Sequence, residues 1–135
     1  MWKGKLVVKG IVTEEDAEKV IALGADGLIS SNHGGRQLDA GQSTIRPMTE
    51  LAKKFGEQIT VMLDSGIRNG PDVACALASG AKFTFLGRSF MYGVAALGKK
   101  GGLHTIFMLK RQLQQVMEQV ACAHVADFPK HLIED

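Results

Sequence analysis

A histidine, an arginine and an amide stand close together in Ser30-Ser31-Asn32-His33-Gly34-Gly35-Arg36-Gln37-Leu38-Asp39, directly after the apolar run Gly27-Leu28-Ile29. An imidazole changes charge near neutral pH, so His33 can take a proton from a substrate. Arg36 follows on the same loop with a planar fork that matches a carboxylate. Together they suit a substrate that offers an anion to Arg36 and a proton to His33. A polar loop that only caps its neighbours can carry the same residues, and Asp39 either orients one of the cations or braces the loop.

Three further positions have comparable chemistry. Lys9 ends the run Leu6-Val7-Val8. A lysine at the end of an interior strand needs a negative partner or an anionic ligand, unless it snorkels to solvent. Asp64-Ser65-Gly66-Ile67-Arg68 follows Ile59-Thr60-Val61-Met62-Leu63, and Gly87-Arg88 follows Phe83-Thr84-Phe85-Leu86. Gly66 lets backbone come close to a ligand. Two arginines on successive loops, one just ahead of a helix N-terminus, make a phosphate clamp.

The elements that must position these groups repeat one pattern. Apolar runs without alternation read as strands covered on both faces, the first of them Leu6-Val7-Val8. Thr13-Glu14-Glu15-Asp16 opens a helix that Gly24 stops. A second helix carries Pro47 in its first turn, shows Met48, Leu51, Ala52 and Phe55 on one face, and ends at Gly56. A third runs from Pro71 to Gly80 with Val73, Ala74, Leu77 and Ala78 inward. A short helix over Phe90–Leu97 leads to Gly101-Gly102. A long amphipathic helix follows, with Leu103, Ile106, Leu109, Leu113, Val116 or Met117, and Val120 as its stripe. The tail through Phe128-Pro129 to Leu132-Ile133 docks as a short helix or turn.

This order is βα four times over, which implies α/β class, parallel strands and ligand groups gathered at their C-terminal ends. Eight such units close a barrel in about 250 residues. The 135 residues here match half of one, read as a single domain over 1–135 with a C-terminal helical extension. A small open sheet, or a half-barrel that pairs with another chain, fits the same pattern.

Composition narrows the function classes. Net charge is +2 with 22% charged and 45% hydrophobic residues, ordinary globular values that give no reason to expect nucleic acid. The basic clusters Lys99-Lys100 and Lys110-Arg111 read as solvated surface. Cys75 and Cys122 match no metal spacing and read as small buried thiols, so no metal is expected. No apolar run reaches the roughly 18 residues of a membrane span. Met1-Trp2-Lys3-Gly4 does not have the shape of a signal peptide, and the location expected is cytoplasmic or peripheral at the inner membrane face.

Leu6-Val7-Val8-Lys9-Gly10-Ile11, Ser31-Asn32-His33-Gly34-Gly35-Arg36-Gln37-Leu38-Asp39, Asp64-Ser65-Gly66-Ile67-Arg68-Asn69-Gly70 and Leu86-Gly87-Arg88 together resemble, in order and spacing, the C-terminal half of the FMN-dependent L-2-hydroxy-acid dehydrogenases and oxidases. The resemblance covers essentially the whole chain. It implies a parallel (β/α)4 half of a TIM barrel, strands 5–8 of a (β/α)8 barrel. FMN is the implied cofactor. His33 is the implied active-site base and Arg36 the partner of the substrate carboxylate. Lys9, Ser31, Asp64, Gly66, Arg68, Gly87 and Arg88 are implied to line the cofactor, with Lys9 at the flavin N1 and O2 edge. The implied reaction is oxidation of a small L-2-hydroxy acid, L-lactate foremost, to the 2-oxo acid. Electrons then pass to an acceptor that the chain does not identify.

The same resemblance names what this chain lacks. The family's first four strands carry groups that touch the flavin ring, a tyrosine near the substrate, and an aspartate that pairs with the catalytic histidine. Tyr92, the sole tyrosine, is expected on the back of the barrel. The expected partner is therefore a missing N-terminal half or a second copy of the chain. The rival reading is a non-catalytic FMN- or phosphate-binding half-barrel that self-associates through its open edge strands.

Overall fold

The computed structural model describes residues 2–133. Met1 and the last two residues of the expected 1–135 span lie outside the described residues. Four strands, β1 (Val7–Lys9), β2 (Gly27–Ser30), β3 (Thr60–Asp64) and β4 (Thr84–Phe85), pair in parallel in the order β1-β2-β3-β4. The register sets Lys9 beside Ile29, Ser30 beside Leu63, and Asp64 beside Phe85. Every strand therefore ends at the same edge of the sheet, where the loops begin. With its helices the sheet forms a half-barrel.

Helices α1 (Glu14–Ala22), α2 (Ile45–Phe55) and α3 (Gly70–Ala78) join successive strands. The Asp16 N–H donates to the Thr13 hydroxyl at 3.2 Å, and Glu14, Glu15 and Asp16 face the positive end of the α1 dipole. Asn69 and Asp72 cap α3 reciprocally, each side chain accepting the other's N–H. The main core lies where α1 and α2 cover the sheet. Leu28, Val61 and Leu63 meet Met48, Leu51 and Phe55 there, all buried. A second cluster joins Ala74 of α3 to Cys122, Phe128 and the C-terminal half of α5 (Gly101–Gln119).

The structure corrects several expectations from sequence. β1 is not covered on both faces: it is an edge strand with Leu6 and Val7 exposed. Three apolar residues in a row look the same whether the neighbouring strand is present or not. β4 is shorter than the run 83–86, because only Thr84 and Phe85 have a partner in β3. Cys75 is exposed rather than a buried thiol; Cys122 is buried. In α5 the stripe fails at its N-terminal end and at Val120. Leu103, Ile106 and Val120 are exposed, while Gly101 and Thr105 face inward. There α5 meets α4 (Arg88–Leu97) backbone to backbone, and a Cβ on Gly101 would strike Gly93 O and Val94 Cα. Only small residues fit that crossing.

Candidate active site at the C-terminal edge of the sheet

The loop after β2 is built around strain and shared amides. His33 stands at φ +58° in a short 3₁₀ turn, His33–Gly35. A left-handed conformation is uncommon for any residue with a Cβ and needs support from its surroundings. The support is a set of hydroxyls. The His33 N–H donates to Ser31 Oγ at 3.1 Å. The Asn32 and Gly34 N–H groups, one on either side of His33, both donate to Ser65 Oγ, at 3.3 and 3.0 Å. Ser65 itself has φ +82°. Two strained residues on neighbouring loops thus hold each other, and Ser65 is a residue that sequence reasoning passed over. A serine in a left-handed turn leaves no mark in the sequence.

Beneath the loop lies an ion-paired cluster. Lys9 Nζ is 2.6 Å from Asp64 Oδ2 and donates to Ser31 Oγ at 2.9 Å. Ser31 Oγ donates to the same carboxylate oxygen at 3.1 Å. The negative partner demanded by a strand-end lysine is therefore Asp64, from β3. An ammonium has three donors, and Asp64 and Ser31 use two of them. The buried Thr44 hydroxyl donates to Asp64 O at 2.9 Å, which ties the end of β3 to the entrance of α2.

Lys9, His33, Arg36, Asp64, Gly66, Arg68, Gly87 and Arg88 all line one open cavity of about 610 Å³, within the range of small-ligand sites. Ser31 lines an adjoining cavity, which shares Lys9 and His33 with the first. Every site residue named from sequence thus meets at one edge of the sheet. Arg88 behaves differently from a simple phosphate finger, since its Nη2 donates to Gly34 O at 3.1 Å and bridges the β4 loop to the His33 loop. The Arg68 carbonyl accepts from the Ser89 hydroxyl at 3.0 Å, and its guanidinium is exposed on the cavity wall. Asp39 lies against Gly35 and pairs with neither His33 nor Arg36 among the described residues. Tyr92 is corrected in position: it lines the cavity with His33 instead of lying at the back. The second turn of α4 carries it there.

The cavity has the features that a phosphate-bearing group requires. No side chain caps the N-terminus of α4, and Gly87 stands at its N-cap. A Cβ at Gly66 (φ +86°) or at Gly87 would meet nothing within 4 Å, so space is open beside both. Uncapped amides, two guanidiniums and that space form a donor set suited to a dianion.

The sequence matches the family model described as FMN-dependent dehydrogenase over residues 1–135. The chain belongs to that family. It is 41% identical to the L-lactate dehydrogenase of Bartonella quintana over 116 residues, 86% of this chain and 30% of that protein. To the L-lactate dehydrogenase of Actinobacillus pleuropneumoniae it is 39% identical over 134 residues, 99% of this chain and 35% of that protein. Among solved structures, a soluble mutant of the membrane-associated (S)-mandelate dehydrogenase of Pseudomonas putida superposes with a TM-score of 0.92 at 41% identity. The match covers 99% of this chain and 38% of that one. The chain therefore spans about a third of the length of the curated relatives that it matches.

Proposed function

We propose that this chain is the FMN- and substrate-binding portion of an enzyme that oxidises a small L-2-hydroxy acid, L-lactate foremost, to the 2-oxo acid. The carrying observation is the cavity at the strand ends that His33 and Arg36 line together with Arg68, Arg88 and two open glycines. FMN, when bound, supplies a two-electron acceptor. Arg68, Arg88 and the amides at Gly87 hold its phosphate, and Gly66 admits it to the backbone. Lys9, steadied by Asp64 and Ser31, keeps a positive charge at the strand ends. Arg36 pairs with the substrate carboxylate and so fixes which face of the substrate meets His33. The His33 imidazole takes a proton from the substrate, from the hydroxyl or from the α-carbon, and its backbone is held by Ser31 and Ser65 while it does so. The enzyme belongs to the cytoplasm or peripherally to the inner membrane face, and the peripheral placement is supported by its likeness to a membrane-associated (S)-mandelate dehydrogenase.

A second reading rests on one observation. The His33 imidazole has no carboxylate partner among the described residues, and an imidazolium without one is less well stabilised. A chain of this kind could bind FMN or phosphate without turnover, its remaining wall supplied by an N-terminal half or by a second copy. The visible spectrum of the purified chain separates the two. A bound flavin that L-lactate bleaches without oxygen supports the enzyme. Bound flavin that stays yellow supports the binding portion, a chain that takes up no FMN on reconstitution refutes the enzyme, and one that takes up neither FMN nor inorganic phosphate refutes both. His33→Ala is expected to retain flavin and lose bleaching by about 10²-fold or more. Bleaching at the parent rate would remove His33 from the role of base.

A further inference from the structure

The segment from Val73 to Met117 contains no aspartate or glutamate, yet it holds Lys82, Arg88, Lys99, Lys100, Lys110 and Arg111. Four of these cations bracket one part of one helix. Lys99 and Lys100 lie in the 3₁₀ turn that leads into α5, and Lys110 and Arg111 lie farther along α5. All four are exposed, and none is ion-paired with a described residue. Between them Leu103 is 75%, Phe107 64% and Ile106 46% exposed. Helical spacing puts Lys99, Lys100, Leu103, Ile106, Phe107, Lys110 and Arg111 on one stripe.

The packing side of α5 is elsewhere. Gly101 and Thr105 are buried, and Leu113, Val116 and Met117 pack against the second core cluster. The face that carries Leu103 and Phe107 is therefore not used in packing among the described residues. A solvated helix face has no need of a leucine and a phenylalanine one turn apart. A face meant for a protein core has no need of four unpaired cations. An interfacial helix requires both, cations for the anionic headgroups and large apolar side chains for the acyl boundary.

We propose that this outer face of α5 docks on an anionic lipid surface, with Lys99, Lys100, Lys110 and Arg111 at the phosphates and Leu103, Ile106 and Phe107 entering the apolar boundary. Charge favours lipid over a second copy of the chain, because the same face on a partner would bring four cations against four. The inference assigns a face to the peripheral attachment proposed above, and it stands apart from the flavin reading because vesicle binding is measured without turnover.

The test is flotation of the chain with vesicles of phosphatidylcholine alone and of equimolar phosphatidylcholine and phosphatidylglycerol. Binding to the mixed vesicles that weakens as salt rises is expected. Leu103→Gln/Phe107→Gln changes only exposed positions and should lower partition about tenfold. Lys100→Gln/Arg111→Gln should lower it by a similar factor. Phe83→Gln/Phe85→Gln, on the β4 edge, should leave it unchanged. Equal binding to neutral vesicles, or equal binding by the α5 variants with unchanged circular dichroism, overturns the proposal. So does a light-scattering mass without vesicles that falls from dimer to monomer in Leu103→Gln/Phe107→Gln, which would give this face to a second copy.

Discussion

The middle of the sheet and its two edges are made differently. β2 is buried at every position, and Leu28 is 0% exposed. β4, at one edge, has Phe85 at 40% exposure beside Phe83, the two rings 5.2 Å apart, and β1 at the other edge exposes Val7. The site divides along the same line. His33 and Asp64 grow from the sealed strands β2 and β3. Arg88 comes from the open edge and is brought to the site by its own length and one bond to Gly34 O. Stability in this chain is thus concentrated at the centre, and the edges add individual polar contacts to their short ladders. Lys9 shows this well, since it crosses over β2 to pair with Asp64 of β3.

The largest expected effect tests that division directly. Leu28→Ala empties a fully buried position under the His33 loop and should cost about 2–5 kcal/mol. Phe85→Ala, partly exposed at the edge, should cost about 1 kcal/mol or less. Urea denaturation of the two variants measures both. Equal losses would mean that the edge strand is as integral as the centre.

A smaller effect is expected where α4 and α5 cross. No residue of α4 is buried, and its hold on α5 is the close approach at Gly93 and Gly101. Gly101→Ala should push the helices apart and cost about 1–3 kcal/mol, a typical overpacking penalty. If the crossing is only an edge attachment, Arg68 and Arg88 should still line their cavity and FMN uptake should survive. Loss of uptake with little loss of stability would instead show that the crossing positions α4 for the ligand. Flavin titration alongside the melting curve distinguishes these outcomes.

Much of this arrangement could be read from the residues alone. The four βα units, the apolar face of α2 and the gathering of His33, Arg36, Arg68 and Arg88 at the strand ends all follow from spacing and glycine placement. What escaped did so for physical reasons. The exposure of β1 depends on a neighbouring strand, and Leu6-Val7-Val8 carries no trace of whether one is there. The true contact line of α5 runs through Gly101 and Thr105, because a close crossing selects size rather than hydrophobicity, so the period of Leu103 and Ile106 pointed the wrong way. Ser65 holds the loop at His33 through a conformation that serine seldom adopts. The Asn69–Asp72 cap was open to sequence reading, since an amide three residues ahead of an acid at a helix start is its ordinary signature.

The smallest expected effect concerns how β1 is pinned. Asp26, just ahead of β2, receives Lys5 Nζ at 2.6 Å and the Leu6 N–H at 2.8 Å. Its carboxyl is held below the usual carboxylate range, first by the hydrogen bond from Lys5 and then by the Leu6 amide, with desolvation opposing. Lys5 is raised above its ordinary value by the hydrogen bond to Asp26 and by that residue's charge. The signs follow. The Asp26 contribution is complete above the ordinary carboxylate pKa and is lost as pH falls through the lowered folded value. The Lys5 contribution is complete below the ordinary lysine pKa and is lost as pH rises through the raised folded value. Stability from the pair therefore spans the neutral range and declines at both extremes. Both groups sit at the surface, so the effect should be slight and should fade in high salt. Asp26→Asn should flatten the acid limb of a plot of urea midpoint against pH and leave the centre of the sheet untouched. An acid limb of unchanged slope would mean that β1 is held by its ladder to β2 alone.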